Sequence, residues 1–465
     1  MLANQVFRKL KVLTNVNIFI MKTFITLLLL LSFGSVRAAD LFIEAESFSN
    51  KGGWKVDQQF MDLMGSPYLM AHGMGVPVKD ASTTINFPED GTYYVYVRTY
   101  NWTSPWSEMK GPGKFVLKID NRRLTPILGD EGEEWMWQSA GKVSVKAGGS
   151  IISLHDLTGF NGRCDAIYLT TEAGKLPPAS EQELEVFRRN MLNLPFKPIE
   201  TTEYDLVVVG GGIAGICAAT SAARFGCKVA LVNDRPVLGG NNSSEIRVHL
   251  GGTIEVGPNK GLGRMIREFG HSTEGNAQSA EKYEDEKKLK VVADEKNITL
   301  FANYRAIAVE MKDKKISAVV IKHIETGEEQ TLAAPLFSDC TGDGTIGFLA
   351  GADYRMGREA KAEYGEDLAP EKADKMTMGA SVQWYSVETE QKSSFPKFNY
   401  GITFSEDNCE KVTMGEWQWE TGMNFNQIDD FERIRDYGLL VVYSNWSFLK
   451  NRLKDNHEYL NRKLE

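Results

Sequence analysis

The chain is short of cysteine, of long apolar runs and of positive charge, and each shortage removes a class of protein. Its five cysteines, Cys164, Cys217, Cys227, Cys340 and Cys409, are an odd number, and none forms a C-x-x-C pair. That excludes a dithiol–disulfide reductase mechanism; Cys217 and Cys340, set in core-like segments, read as inert packing. Only Met21 to Ala38 holds a strongly apolar stretch. About ten apolar residues are too few to span a bilayer. Lys22, the apolar stretch and the small-residue exit Val36-x-Ala38 instead predict a signal peptide over residues 1–38, with Met21 the better start. The expected location is therefore exported, periplasmic or secreted, with no integral membrane segment after cleavage. The formal net charge is −9, and the first 38 residues carry five basic and no acidic side chains, so the mature chain stands at −14. Such a balance speaks against nucleic acid or an anionic membrane as partner. No internal repeat or low-complexity tract breaks the sequence.

Glycine is not scarce, and its placement is the strongest positive signal. Leu206 to Val209 is a short apolar run suited to a parallel strand covered on both faces. Gly210 permits a tight turn, Gly212 lets the backbone approach a pyrophosphate, and Gly215 lets the next helix pack close to the strand. That helix, poor in bulk, stops at Gly226, and Lys228 to Val232 supplies a second strand. Strand, glycine turn, helix and strand in this register predict a dinucleotide site, with phosphates at the helix N-terminus. The acid expected to grip the ribose is replaced by Asn233, and Asp234 serves if the strand ends one residue later.

Two further segments extend the pattern. Leu238-Gly239-Gly240-Asn241 closely follows the second strand, and Leu336 to Asp339 runs into Thr341-Gly342-Asp343-Gly344. The latter resembles the returning strand of glutathione-reductase-type FAD domains. Together the three segments resemble a family of FAD-dependent oxidoreductases often found beside polysaccharide-degrading enzymes in bacteria. The resemblance covers roughly 203–465 and includes Gly351 to Glu359, Gly415 to Gly422, and Glu432, Arg435 and Asp436. It implies FAD and redox chemistry, and no particular substrate.

Residues 40–172 read as a separate antiparallel β-sandwich, with short alternating runs such as Thr92 to Arg98 and glycine turns between them. Its opening Phe42 to Glu46 and closing Asp165 to Leu169 resemble the first and last strands of carbohydrate-binding sandwiches. In those modules two early acids and a late one hold structural Ca²⁺, which implies Glu44, Glu46 and Asp165 as ligands if the terminal strands lie side by side. Trp135 and Trp137 alternate onto one face and suit core packing. Trp102 and Trp106 lie in a Ser/Pro-containing loop and are the expected glycan contacts. The sandwich serves equally well as a docking wall for the flavin domain. Residues 173–203, with Pro177-Pro178 and a helix from Glu181 to Asn193, form a stiff linker.

The chemistry is expected just after the Leu-Gly-Gly-Asn turn. Alternating Ile246, Val248 and Leu250 predict a strand that presents Arg247 and His249. Arg247 suits a substrate carboxylate or negative charge on a flavin, His249 suits a base toward an alcohol, and Glu245 pairs with Arg247. An insertion over 255–298 carries a charged helix near Ala280 to Glu295. Residues 204–360 then form the FAD-binding domain and 361–465 a substrate or cap portion, where Trp417, Trp419 and Glu420 are candidate cap residues. The end, Asn445 to Glu465, reads as a polar amphipathic helix. No glycine follows Gly438, so the flavin fold reads as C-terminally truncated.

The expected architecture is multidomain: an antiparallel β-sandwich, then an α/β Rossmann-like FAD domain with helical or mixed cap insertions. The expected function is an exported FAD-dependent oxidoreductase moving a hydride between flavin N5 and a carbon of a small-molecule or glycan substrate. The alternatives are a glycan-binding protein with an inactive flavin domain and, further off, a polysaccharide lyase-like enzyme.

Overall fold

The computed structural model describes residues 39–201, 203–270, 275–416 and 418–465. The expected signal peptide and Trp417 lie outside the described residues. Among them no helix is long and apolar enough to cross a membrane.

Eleven strands build the N-terminal module: β1 (Asp40–Glu44), β2 (Lys55–Asp57), β3 (Tyr68–His72), β4 (Ala81–Phe87), β5 (Gly91–Thr99), β6 (Phe115–Ile119), β7 (Arg122–Arg123), β8 (Met136–Val145), β9 (Gly148–Asp156), β10 (Phe160–Cys164) and β11 (Ala166–Thr170). They form sheets of order β1-β11-β5-β8, β4-β9-β6-β7 and β10-β3-β2. Alternation decides which side chains are buried: Tyr93, Val95 and Val97 of β5 point inward, and Thr92, Tyr94 and Tyr96 do not. Those residues share one core with Ile85 and Phe87, Leu117 and Ile119, and Ile152 and Leu154 of the second sheet. Each fully buried Val, Leu or Phe adds roughly 1.5–3 kcal/mol. Antiparallel pairing of β1 with β11, Asp40 opposite Thr170, joins the first and last strands of the module.

A linker helix, α1 (Glu181–Leu192), ends on Asn193 in the left-handed conformation. After β12 (Ile199–Glu200) come β13 (Leu206–Val209), α2 (Ile213–Arg224), β14 (Val229–Asn233), α3 (Asp285–Asp294), β15 (Ile298–Ala302), β16 (Tyr304–Lys312), β17 (Lys315–His323), β18 (Glu329–Ala333) and β19 (Leu336–Asp339). A parallel sheet of order β15-β14-β13-β19 is flanked by a second sheet, β12-β18-β17-β16. Period-two alternation divides β13 between two layers: Val207 and Val209 pack with Val319, Ile321 and Leu332, and Val208 packs with Ile216 and Ala219 of α2. The expected charged helix at 280–295 is α3 preceded by a single 3₁₀ turn.

The C-terminal portion contains β20 (Trp384–Glu388), β21 (Met414–Gly415), the 21-residue helix α4 (Phe431–Asn451) and β22 (Arg462–Leu464), with order β21-β20-β22. Here the sequence reading is corrected. The end of the chain is not one polar amphipathic helix, because α4 is buried at every position from Gly438 to Lys450 and the chain then returns as a strand. Leu440, Tyr443, Trp446 and Leu449 supply the apolar contacts. Polar neighbours are buried because they are paired: Asn445 exchanges bonds with Glu410 N (3.1 Å) and O (2.9 Å), and Lys450 donates to the carbonyls of Tyr459 (2.7 Å), Leu460 (3.1 Å) and Arg462 (2.8 Å).

Helix α4 docks on the N-terminal module. Arg163 of β10, wholly buried, bonds Asp436 (2.6 Å), Glu432 (2.9 Å) and the Tyr100 hydroxyl (2.6 Å). Arg435 pairs with Asp57 across the same interface; burial pushes the Asp57 carboxyl up, but the Arg435 charge and hydrogen bond outweigh it and hold it below the usual range. Trp102, 1% exposed, lies between Phe398 and Tyr443, and the Trp106 ring meets Tyr437 at 5.6 Å. The expectation that both tryptophans are exposed fails at Trp102, which is buried beneath α4; Trp106 is half-buried beside it. Trp135 sits between Tyr68 and Tyr100, while Trp137 contacts Phe42 and donates to Pro178 of the linker.

Candidate functional site

The glycine turn is built by collision avoidance. Gly210 has φ +105°, and a Cβ there would strike the Cys340 carbonyl at the end of β19; a Cβ on Gly215 would strike the Gly210 carbonyl. Gly212, at the start of α2, faces open space, with Gly240 Cα 3.9 Å from a built Cβ. The Leu238–Asn241 turn lies alongside, Gly239 N donating to Gly211 O (2.9 Å) and Gly212 bridging Gly239. On the other side of β13, Gly342 and Gly344 have positive φ, and a Cβ on either would meet nothing within 4 Å. The three segments thus form a small-residue cradle bordering open space, which fits a dinucleotide pyrophosphate and its neighbours.

Asn233 is brought to this turn, yet its side chain is largely used within the protein. Its Oδ1 accepts from Gly211 N (3.2 Å), and its Nδ2 donates to Arg235 O (2.7 Å) and Val237 O (3.1 Å). Asp234 pairs with Arg305 at 3.1 Å. Burial pushes the nearby Asp343 carboxyl up, with Arg305 opposing and Asp234 adding to the shift. Sequence reasoning missed Asp339, which fixes the Thr341–Gly344 turn. It accepts from Thr341 N (3.1 Å), Thr341 Oγ1 (2.7 Å), Ile346 N (2.8 Å) and Gly347 N (3.1 Å). Burial pushes its carboxyl up, but these bonds outweigh that and hold it below the usual range. An Asp two residues before the Thr of an Asp-x-Thr-Gly run is a local turn signal that carried this information.

Arg247 and His249 stand on a turn and loop rather than a strand. Arg247 has φ +63°, its N–H bonds Ser243 O (2.8 Å), and Val248 N bonds Asn241 O (2.9 Å). The chain therefore folds back on the Leu-Gly-Gly-Asn turn, and side-chain amides of Asn242 and Asn276 take backbone groups a strand would have paired. Arg247 lies over the Tyr385 ring at 5.0 Å, and its Nε bonds Ser244 O (2.9 Å). Glu245 pairs with Arg235 (3.3 Å) instead of Arg247. Asn276, 2% exposed, was not legible as a site residue. Its Oδ1 receives both the His249 backbone N–H (3.0 Å) and His249 Nδ1 (2.7 Å). A backbone N–H can only donate, so the shared atom is the amide oxygen, and Nδ1 carries the imidazole proton. In the neutral ring His249 Nε2 is then the nitrogen that carries the lone pair. It faces Gly251, where a Cβ would approach within 3.2 Å.

The three acids expected at a metal do converge, but two guanidinium groups stand among them. Asp165 accepts from Arg98 (2.9 Å), Arg188 (2.6 Å) and Ser66 (2.8 Å), and Glu44 lies 3.4 Å from Arg188. Burial pushes the Glu44 carboxyl up to about 7, against the pull of Arg188, and lifts Glu46 well above the usual range. Among the described residues no group of three His, Cys, Asp or Glu is arranged to hold a metal. In the C-terminal portion Trp419 stacks on Trp384 at 6.4 Å and packs against Phe404, which makes it part of the local core.

A family model described as FAD dependent oxidoreductase matches residues 205–462. Over 66 residues the chain is 48% identical to the soluble pyridine nucleotide transhydrogenases of Ectopseudomonas mendocina (strain ymp) and of Azotobacter vinelandii. That stretch is 14% of this chain and only 12% of each relative's length. Among solved structures, a family 35 carbohydrate binding module from Clostridium thermocellum is similar at 18% identity and TM-score 0.24, over 28% of this chain and 98% of that one. L-proline dehydrogenase from P. horikoshii is similar at 20% identity and TM-score 0.21, over 31% and 24%.

Proposed function

Since the chain belongs to the FAD-dependent oxidoreductase family, we propose that it oxidises or reduces a hydroxyl-bearing, carbohydrate-like small molecule outside the cytoplasm. The observation that carries this reading is His249, whose Nδ1 is held by Asn276, eight residues beyond Asn241 at the end of the Leu-Gly-Gly-Asn turn. When bound, FAD supplies two-electron redox chemistry. Gly210, Gly212, Gly215, Gly239 and Gly240 would hold its phosphates, with Asn233, Asp234 and the Thr341–Gly344 turn at its polar flanks. His249 Nε2 takes the proton of a substrate hydroxyl in oxidation and returns it in reduction, and Asn276 keeps the ring oriented for that transfer. Arg247, backed by Tyr385, binds a substrate carboxylate or another anionic group.

The glycan-binding alternative loses Trp102 as a contact, because that ring is buried against Tyr443 of α4. Export rests on the N-terminal sequence. The test is to load the purified chain with FAD and record bleaching of the visible flavin band as sugars, polyols and sugar acids are added without oxygen. His249→Ala is expected to retain flavin and slow bleaching by roughly 10²–10⁴-fold, the usual contribution of a general base. Unchanged kinetics in that variant would remove His249 from the mechanism, and a chain that cannot retain FAD would defeat the whole reading.

A further inference from the structure

The acid cluster at the base of the N-terminal module is built for a cation, and the chain supplies one itself. Glu44 ends β1, Glu46 follows it in the next turn, and Asp165 joins β10 to β11; Ala45 N donating to Asp165 O (2.9 Å) locks the three together. All are buried: Glu44 is 7% exposed, Glu46 2% and Asp165 0%. Glu44 Oε2 and Glu46 Oε2 are shielded from solvent and have no hydrogen-bond partner. Three buried carboxyl groups side by side are costly when ionised and uncompensated; protonation relieves part of this at Glu44 and Glu46, whose carboxyls burial pushes up, and positive charge among the three relieves more.

A Ca²⁺ ion needs about six to eight oxygen ligands at contact distance, and the residues present do not offer them. Both oxygens of Asp165 are taken, Oδ1 by Ser66 and Oδ2 by the two guanidinium groups. Arg188 also bonds the Ser66 hydroxyl and lies 3.4 Å from Glu44. The cavity left beside Glu44, Glu46, Ser66 and Arg188 is only about 30 Å³, room for no more than a few waters. Lys322, from β17, adds a further positive charge on that side and donates to Gly65 O (2.8 Å).

We infer that the Arg188 guanidinium does the work of a structural metal ion in this module, so that the cation holding its terminal strands together is delivered by the linker helix. A free ion would leave the module independent of the chain that follows it. Arg188 instead is continuous with Arg189, which bonds Glu329 of β18 and Pro195 O (2.9 Å). Two successive arginines on α1 thus grip the N-terminal module and the sheet beside the nucleotide fold.

The test is thermal unfolding of the full chain in EDTA and in millimolar CaCl₂, with and without Arg188→Ala. The unsubstituted chain is expected to melt at the same temperature in both buffers and to take up no calcium in equilibrium dialysis. Arg188→Ala is expected to melt on the order of 10 °C lower in EDTA, as breaking a buried pair in a domain of this size implies, and to recover much of that in calcium. One bound calcium per unsubstituted chain, or a rise in its melting temperature with calcium, overturns the inference. So does an Arg188→Ala chain that calcium leaves unimproved. If that variant does not fold, dialysis of the unsubstituted chain still decides.

Discussion

The N-terminal module and the nucleotide-binding half differ in how their later strands and loops are covered. In the module β10 and β11 are buried at every position, and even the aromatic loop at Trp102 is covered by α4. In the nucleotide-binding half, β19 forms a sheet edge with Leu336 64% exposed, and beyond its turn Phe348 and Tyr354 are 61% and 68% exposed. The first region is closed by its own chain through charges, rings and a buried helix. The second keeps open surface around its glycine cradle, where a ligand belongs. Structural integrity and ligand capture are therefore separable, and substitutions in one half should spare the other.

The largest separation is expected from Gly215→Val. Its Cβ would collide with the Gly210 carbonyl, so α2 could not start against β13. Flavin retention should disappear while the tryptophan near-ultraviolet dichroism of the module persists; stoichiometric flavin in the variant would refute the assignment of the cradle. Next comes Arg163→Ala, which removes the buried guanidinium from Asp436 and Glu432 and leaves them only Arg435, Tyr100 and Tyr68 as partners at the α4 interface. A stability loss of about 3–5 kcal/mol is expected, read by denaturant unfolding, with bound flavin unchanged in native buffer. A loss within measurement error would mean that the network carries no net weight.

The smallest effect concerns pH. His72, in the module, bonds Asn161 (2.8 Å) beneath Tyr443 of α4, and burial is the main cause that lowers its pKa from the ordinary 6.5. Because the folded pKa lies below the unfolded one, this contribution is complete above pH 6.5 and is lost as pH falls through the folded value. The melting temperature should therefore fall on acidification below pH 6.5, and His72→Gln should flatten that slope. An identical slope in the variant would assign it to other groups.

What could be read from the sequence was what the chain encodes over a few residues. Gly210, Gly212 and Gly215 answer to backbone geometry at their own positions, so the strand–turn–helix around them was legible. The convergence of Glu44, Glu46 and Asp165 was legible too, since pairing of β1 with β11 follows from their places at the two ends of one module. Arg188 was not, because its entry into that cluster depends on where a linker helix docks. Trp102 was misread for the same reason: a Ser- and Pro-containing loop looks exposed until a helix more than 300 positions later covers it, with Tyr100 and Asp436 bonded 336 residues apart. At Arg247 and His249 the alternation was real, but two asparagine side chains redirected the backbone. Asn276 itself left no local signature.

The docking of α4 also sets an order of events during synthesis. Residues 40–170 leave the ribosome before α4, yet the surface around Tyr100, Trp102 and Phe160 is covered only by Phe395, Phe398 and α4, all made much later. Closing a loop of that length costs only about 5 kcal/mol of chain entropy, but contacts so distant in sequence form slowly. During that wait the earliest part of the chain presents its stickiest face to other molecules. A module made early is thus finished late, and its yield depends on residues more than 300 positions further along the chain.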